Sequence, residues 1–145
     1  MALPTKLQLE IVTPDRALVR EMVDEVVVPG AEGDFGVLPG HTPLLATLRV
    51  GEIWYRQGSE KHYLVVAFGF VEVLPERVTV LAQVAERPED IDIERAERAK
   101  KRAEERLAAP AVSTSMGDMD FERARIAMMK SLVRLQVATR ARTRV

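Results

Sequence analysis

The hydrophobic period of this chain changes at Arg87-Pro88-Glu89, and that change limits the folds open to it more than any other feature. Before the break, apolar residues alternate with polar ones. Leu7, Leu9 and Ile11 flank Gln8 and Glu10, and residues 18–28 are rich in valine. Alternation of period two is the mark of half-buried strands. Two hairpins are expected: Glu52–Arg56 with His62–Val66 across Gln57-Gly58-Ser59-Glu60, and Phe70–Leu74 with Val78–Val84 across Pro75-Glu76. Many short strands and frequent turns predict an antiparallel sandwich or flattened barrel over residues 1–87. Pro88 has no N–H to extend a ladder. After it the composition turns to Ala, Glu, Arg and Lys, which are helix formers.

The second segment, residues 88–145, therefore reads as two helices. The first runs from about Asp90 with no Gly or Pro until Pro110, and the second from about Asp120 to Thr139, with Asp118 or Asp120 as its N-cap. Residues 110–119 read as the loop between them. Ala96, Ala99, Ala103 and Leu107 share one face of the first arm. Phe121, Ala124, Met128, Leu132 and Leu135 share one face of the second, which has another apolar row in Ile126, Met129, Val133 and Val137. A two-helix hairpin buries one row per arm, so the spare row needs a second surface, either the sandwich or another protein. Charge divides in the same place. Residues 1–88 carry 8 basic and 12 acidic side chains, and residues 89–145 carry 13 and 10. This describes either two solvated surfaces of opposite sign or a basic half that meets an acidic partner or folds back on the acidic half.

Several function classes lack their residues. With no cysteine there is no disulfide, thiolate catalyst or thiolate-bound metal. His41 and His62 stand apart without a metal-ligand cluster. There is no Gly-x-x-x-x-Gly-Lys phosphate loop and no Gly-x-Ser-x-Gly elbow. Asp34-Phe35-Gly36 matches a kinase magnesium motif, but nothing else of that apparatus accompanies it. No 18-residue apolar run and no signal-peptide stretch are present, so a cytoplasmic protein that reaches a membrane through a partner is expected.

Residues Gly30 to Gly51 crowd glycines and prolines around His41. Such a segment makes a shaped surface rather than a tether. Gly33, Gly36, Pro39, Gly40, His41, Pro43, Leu44 and Leu45 form a Gly-x-x-Gly-x-x-Pro-Gly-His-x-Pro-Leu-Leu pattern. In this the chain resembles the epsilon subunit of the rotary F-type ATP synthase, and the resemblance extends over its whole length. It implies a sandwich of two five-stranded sheets followed by an α-helical hairpin, in a non-catalytic rotor subunit with no required cofactor. It implies that the sandwich binds the gamma subunit and rests on the ring of c subunits, with Glu32, Asp34 and His41 in the ring-facing segment. A mobile hairpin would regulate ATP hydrolysis by extending among the alpha and beta catalytic subunits. The protein would then sit peripherally on the cytoplasmic face of the inner membrane, with no nucleic-acid partner.

A second motif, Ile-Asp-Ile-Glu-Arg-Ala at residues 91–96, reads locally as an N-cap at Asp92 with Ile91 and Ala96 spaced as a hydrophobic staple. It also resembles the signature of epsilon subunits that bind ATP. Arg95 and Arg102 lie seven apart, and Arg123, Lys130 and Arg134 form a basic column on the second arm. Guanidinium forks suit triphosphate oxygens. The resemblance implies a regulatory ATP site of Glu86, Ile91, Asp92, Arg95, Ala96, Arg102, Lys130 and Arg134. Lys130 stands where nucleotide-binding members often carry arginine. A free-standing β-domain adaptor with a helical clamp, chaperone-like, is the alternative. It accounts for the spare apolar row but not for the Gly33–Leu45 pattern.

Overall fold

In the computed structural model, which describes residues 2–108 and 115–142, alternation builds the core of a first unit, Met1–Arg87. Its strands are β1 (Leu7–Val12), β2 (Ala17–Val23), β3 (Glu25–Gly30), β4 (Gly33–Val37), β5 (Leu44–Leu48), β6 (Gly51–Gln57), β7 (Glu60–Leu74) and β8 (Arg77–Glu86). Leu7, Leu9 and Ile11 of β1 are fully buried, as are Val71 and Val73 of β7 and Val78 and Val80 of β8. β1 pairs antiparallel with β2 and parallel with β8, and the other pairings are antiparallel.

The eight strands form one continuous hydrogen-bonded network, and a bend in β7 folds it into a sandwich. The first half of β7 pairs with β6, Gly51 opposite Val66 through Gln57 opposite Glu60. Its second half pairs with β5, Leu44 opposite Val73 through Leu48 opposite Gly69. Between them Phe68 (φ 60°) and Gly69 (φ 122°) turn the strand, and Arg49-Val50 interrupts the facing ribbon. One layer thus runs β2, β1, β8, β7, β5, and the other β4, β3, β6, β7, β8, with both long strands serving both. At Gly69 the backbones nearly touch: a Cβ there would lie 2.0 Å from the Leu81 carbonyl oxygen. No residue but glycine fits such an approach.

Two sequence expectations change here. Both expected hairpins form, β6 with β7 and β7 with β8 across Pro75-Glu76, but residues 62–66 and 70–74 are two halves of one 15-residue strand shared between them, because Gly69 bends the ladder without ending it. The Gly30–Gly51 segment contains two strands, β4 and β5. Its glycines had hidden the alternation, and the irregular parts shrink to the turn at 31–32, the loop 38–43 and the break at 49–50.

Asp24 locks the corner between β2 and β3. Its carboxylate accepts from Lys6 Nζ at 2.7 Å and from the Gly58 backbone N–H at 2.6 Å. Its own N–H donates to the Arg56 carbonyl at 2.8 Å. The Lys6 hydrogen bond first, then that from Gly58, holds the Asp24 carboxyl below the ordinary carboxylate range.

The second unit is Pro88–Val145. A 3-10 turn at Pro88–Asp90 leads to α1 (Ile93–Ala108) and α2 (Ser115–Arg142). α2 has 28 residues to the 16 of α1, so at ~1.5 Å per residue it is about 18 Å longer. It touches both α1 and the 3-10 turn. The second helix spans Ser115–Arg142 rather than beginning near Asp120, so Asp118 and Asp120 lie within its run and not at an N-cap position. Of the expected 110–119 loop, residues 115–119 are helical and 110–114 lie outside the described residues.

The seam of the second arm also differs from expectation. Phe121 and Leu132 are 55% and 44% exposed. The buried line is Ala124, Ser131 and Ala138, seven apart, with Val137 beside it. On α1 the buried positions are Ala96 and Ala103, again seven apart. Small side chains at a heptad interval allow two helix backbones to approach closely. Ser131 belongs to this line because its hydroxyl donates to the Ala127 carbonyl at 2.8 Å, which satisfies it inside the helix.

Candidate functional site

The residues expected to face a ring of partner subunits fall into two places. Glu32 is at the tip of the β3–β4 turn, and Asp34 enters β4. The turn is closed by Gly30 opposite Gly33. A Cβ on Gly30 would meet the Gly33 carbonyl oxygen at 2.8 Å and the Phe35 ring at 3.0 Å, so the turn is as tight as glycine permits. Two backbone bonds pin it to the neighbouring ribbon: Ala31 N–H to the Thr47 carbonyl at 2.9 Å, and Arg49 N–H to the Pro29 carbonyl at 3.1 Å. Arg49 completes the attachment. Its guanidinium forms an ion pair with Asp34 and donates to its neighbour's carbonyl, that of Val50, at 3.0 Å.

His41 lies beyond the other end of β4. Five residues of strand, roughly 16 Å at ~3.3 Å each, separate the turn from the 38–43 loop. This loop has its own anchors. His41 N–H donates to the Leu38 carbonyl at 3.1 Å, and Gly40 N–H donates to the Pro75 carbonyl at 2.7 Å. The His41 Nδ1 lies 2.6 Å from the Thr42 carbonyl oxygen. A carbonyl only accepts, so Nδ1 carries the proton and the ring braces the loop. The structure therefore brings Glu32 and Asp34 together, and it does not bring His41 to them.

The expected nucleotide residues are placed by the helices. Asp92 caps α1, its Oδ1 accepting from the Arg95 backbone N–H at 3.0 Å while its carbonyl accepts from Ala96 N–H at 3.0 Å. Ile91 and Ala96, on either side of the cap, are buried as a staple requires. Arg95 and Arg102 project into solvent from α1, and Lys130 and Arg134 are half-buried on α2. Glu86 ends β8 in the first unit. Glu86, Lys130 and Arg134 each already take part in polar interactions. No group of three or more potential metal ligands occurs among the described residues.

Sequence reasoning passed over Arg49. Its partner is fifteen positions away, and only the register that sets Gly30 opposite Leu48 puts the two side chains together. The signal is a strand pairing, which no local motif carries.

The first unit also shows an exposed apolar row. Cross-strand pairing aligns Val12, Leu81, Phe70 and Thr47 across β1, β8, β7 and β5. Leu81 and Phe70 are 52% and 53% exposed, and Leu45 on β5 is 70% exposed. On a monomer, a contiguous apolar row on a rigid sheet commonly marks a protein contact.

Comparison with known proteins covers both units. Residues 6–88 match the family model described as ATP synthase, Delta/Epsilon chain, beta-sandwich domain. Residues 89–139 match ATP synthase, Delta/Epsilon chain, long alpha-helix domain. The chain is 48% identical over 135 residues to an ATP synthase epsilon chain of Syntrophotalea carbinolica, covering 93% of this chain and 95% of that one. It is 48% identical over 131 residues to that of Nitratidesulfovibrio vulgaris, covering 90% and 94%. Its fold is shared with a chain in the mitochondrial ATP synthase OSCP/F1/c-ring structure of Euglena gracilis, at a TM-score of 0.78, 23% identity and coverage of 99% of this chain and 84% of that one.

Proposed function

Because the chain belongs to the ATP synthase delta/epsilon family, we propose that its sandwich is a rigid docking body between the gamma subunit and the ring of c subunits. On this reading its helical unit regulates ATP hydrolysis. The observation that carries the docking role is the apolar row of Val12, Leu81 and Phe70 on an outer sheet face. Phe70 and Leu81 stand directly opposite each other, half-exposed, on strands whose inner residues are fully buried. A side chain held by such a sheet loses little further freedom on binding, which favours a permanent subunit contact. We assign this row to gamma, and the tip at Glu32 and Asp34 to the ring. No helix among the described residues is long and apolar enough to cross a membrane. On our reading, attachment at the cytoplasmic face runs through these contacts.

The helical unit fits a regulatory part. An alanine and serine seam has little area to bury, so such a hairpin separates more readily than a leucine-packed one. The exposed Phe121 and Leu132 on α2 would be covered when the arms extend among the alpha and beta subunits. ATP bound to the hairpin would oppose that extension. At a hundredfold excess over its dissociation constant, a ligand of one state stabilises it by about 2.7 kcal/mol, enough to shift a two-state equilibrium about a hundredfold.

The docking role is tested by co-expressing the chain with gamma. Phe70→Glu places an unpaired carboxylate at the centre of the row but leaves the inner face intact. Loss of copurification with gamma, with an unchanged unfolding midpoint, is expected. Retention of gamma by a folded Phe70→Glu chain would refute the assignment of this face.

A further inference from the structure

The two carboxylates at the β3–β4 tip are not equivalent, and Arg49 makes them so. Asp34 is paired with the Arg49 guanidinium, and Glu32 has no hydrogen bond or ion pair among the described residues. The turn that carries Glu32 packs one side chain beneath it, the Phe35 ring against Gly30. It is held by the glycine pair Gly30 and Gly33, by the Ala31–Thr47 and Arg49–Pro29 backbone bonds, and by this one ion pair. Arg49 takes part in two of these. Its backbone N–H reaches the strand before the tip, and its guanidinium reaches the strand after it. Its second guanidinium nitrogen donates to the Val50 carbonyl, so the side chain is itself oriented. Arginine suits this place because its planar fork serves two acceptors at once, which lysine cannot reproduce.

We propose that Arg49 is the positioning residue of this tip: it neutralises Asp34 and fixes the turn, so that Glu32 is the charge offered to a partner. The proposal rests on reading the tip as the ring contact. It gives the contacting role to Glu32 rather than to Asp34 and defines the partner group as cationic or rich in N–H donors. A carboxylate on a pre-set turn forfeits little entropy when it is met, whereas one on a loose turn must be ordered first.

The test uses the full chain bound to gamma and rings of c subunits held in lipid nanodiscs, with affinity read by surface plasmon resonance. Hydrogen exchange at the Ala31 amide reports independently on the turn. Arg49→Met is expected to speed that exchange and to weaken ring binding by about two- to tenfold, the cost of ordering a loosened Glu32 side chain on binding. Arg49→Lys should recover part of the affinity, and Glu32→Gln should weaken binding with exchange unchanged. If Arg49→Met loosens the turn without weakening ring binding, or leaves exchange at Ala31 unchanged, the positioning role is overturned while Glu32→Gln still judges the contact. If Glu32→Gln and a double Ala31→Gly, Glu32→Gly variant both bind the ring as the parent does, the tip is not the ring contact and the reading beneath the proposal has failed.

Discussion

Replacing Gly69 by alanine tests whether the bend in β7 makes the sandwich. Two costs are separable. The backbone there has φ 122°, a conformation that L-residues hold only at about 1–3 kcal/mol. The added Cβ would also stand 2.0 Å from the Leu81 carbonyl oxygen and 3.0 Å from Ala82 Cα. An ordinary contact of this kind is about 3.4 Å or more, so the β7 and β8 backbones must part by more than an ångström. That shift weakens the pairing of Gly69 with Ala82, at about 1 kcal/mol per ladder bond. The sum is about 2–4 kcal/mol, a large share of the 5–15 kcal/mol typical of a domain. Gly33→Ala is the control, since φ is 131° there but nothing lies within 4 Å of the new Cβ. It should show the dihedral cost alone, about 1–3 kcal/mol. Urea unfolding followed by Trp54 fluorescence provides the assay. Trp54 is the sole tryptophan, it pairs with Tyr63 of β7, and the Lys61 ammonium lies 4.5 Å over its ring, so it reports on the first unit. Coincident midpoints for the two variants, or a Gly69→Ala chain within about 0.5 kcal/mol of the parent, the range of an ordinary surface change, would refute the close-approach argument.

The same bend shows why sequence reading went as far as it did. Alternation located β1 through Leu7, Leu9 and Ile11, and it separated a strand region from a helical one at Pro88, because burial on one face writes directly into the order of residues. It broke β7 in two at Phe68-Gly69 because glycine between apolar runs usually closes a turn. Whether such a glycine ends a ladder or bends it depends on the strand that faces it, here β8 at Leu81 and Ala82. Arg49 and Asp34 were hidden for the same reason, as their pairing follows from β3 meeting β5. In the helices the error was of another kind. Counting large apolar residues as the seam put Phe121 and Leu132 inside. The line that is buried between two closely set helices is Ala124, Ser131 and Ala138 with Val137 beside it, and a serine satisfied by its own helix counts there as small rather than polar. The Asp92 cap was legible because capping is local: three residues hold the whole interaction.

Two further expectations follow from single side chains. Lys6 and the Gly58 N–H hold the Asp24 carboxyl below its ordinary value of 3.8, so its contribution to stability is complete above about pH 5 and is lost as the pH falls through the lowered folded value. The difference in urea midpoint between parent and Asp24→Asn should be constant near neutrality and close below about pH 4, and a difference that persists unchanged to pH 2 would mean the latch does not depend on the Asp24 charge. For the regulatory ligand, Asp92→Ala and Arg134→Ala should each abolish the heat of ATP binding to the isolated chain in titration calorimetry. The two act differently. Asp92 spends one oxygen on the Arg95 amide, so its loss frays the first turn of α1, at about 1 kcal/mol, and lowers helicity as well as binding. Arg134 lies in mid-helix, far from either end of α2, so its loss should remove binding with the circular dichroism unchanged. ATP binding that survives Arg134→Ala in a fully helical chain would rule the α2 cations out of the site, since a triphosphate held by α1 alone would not need them.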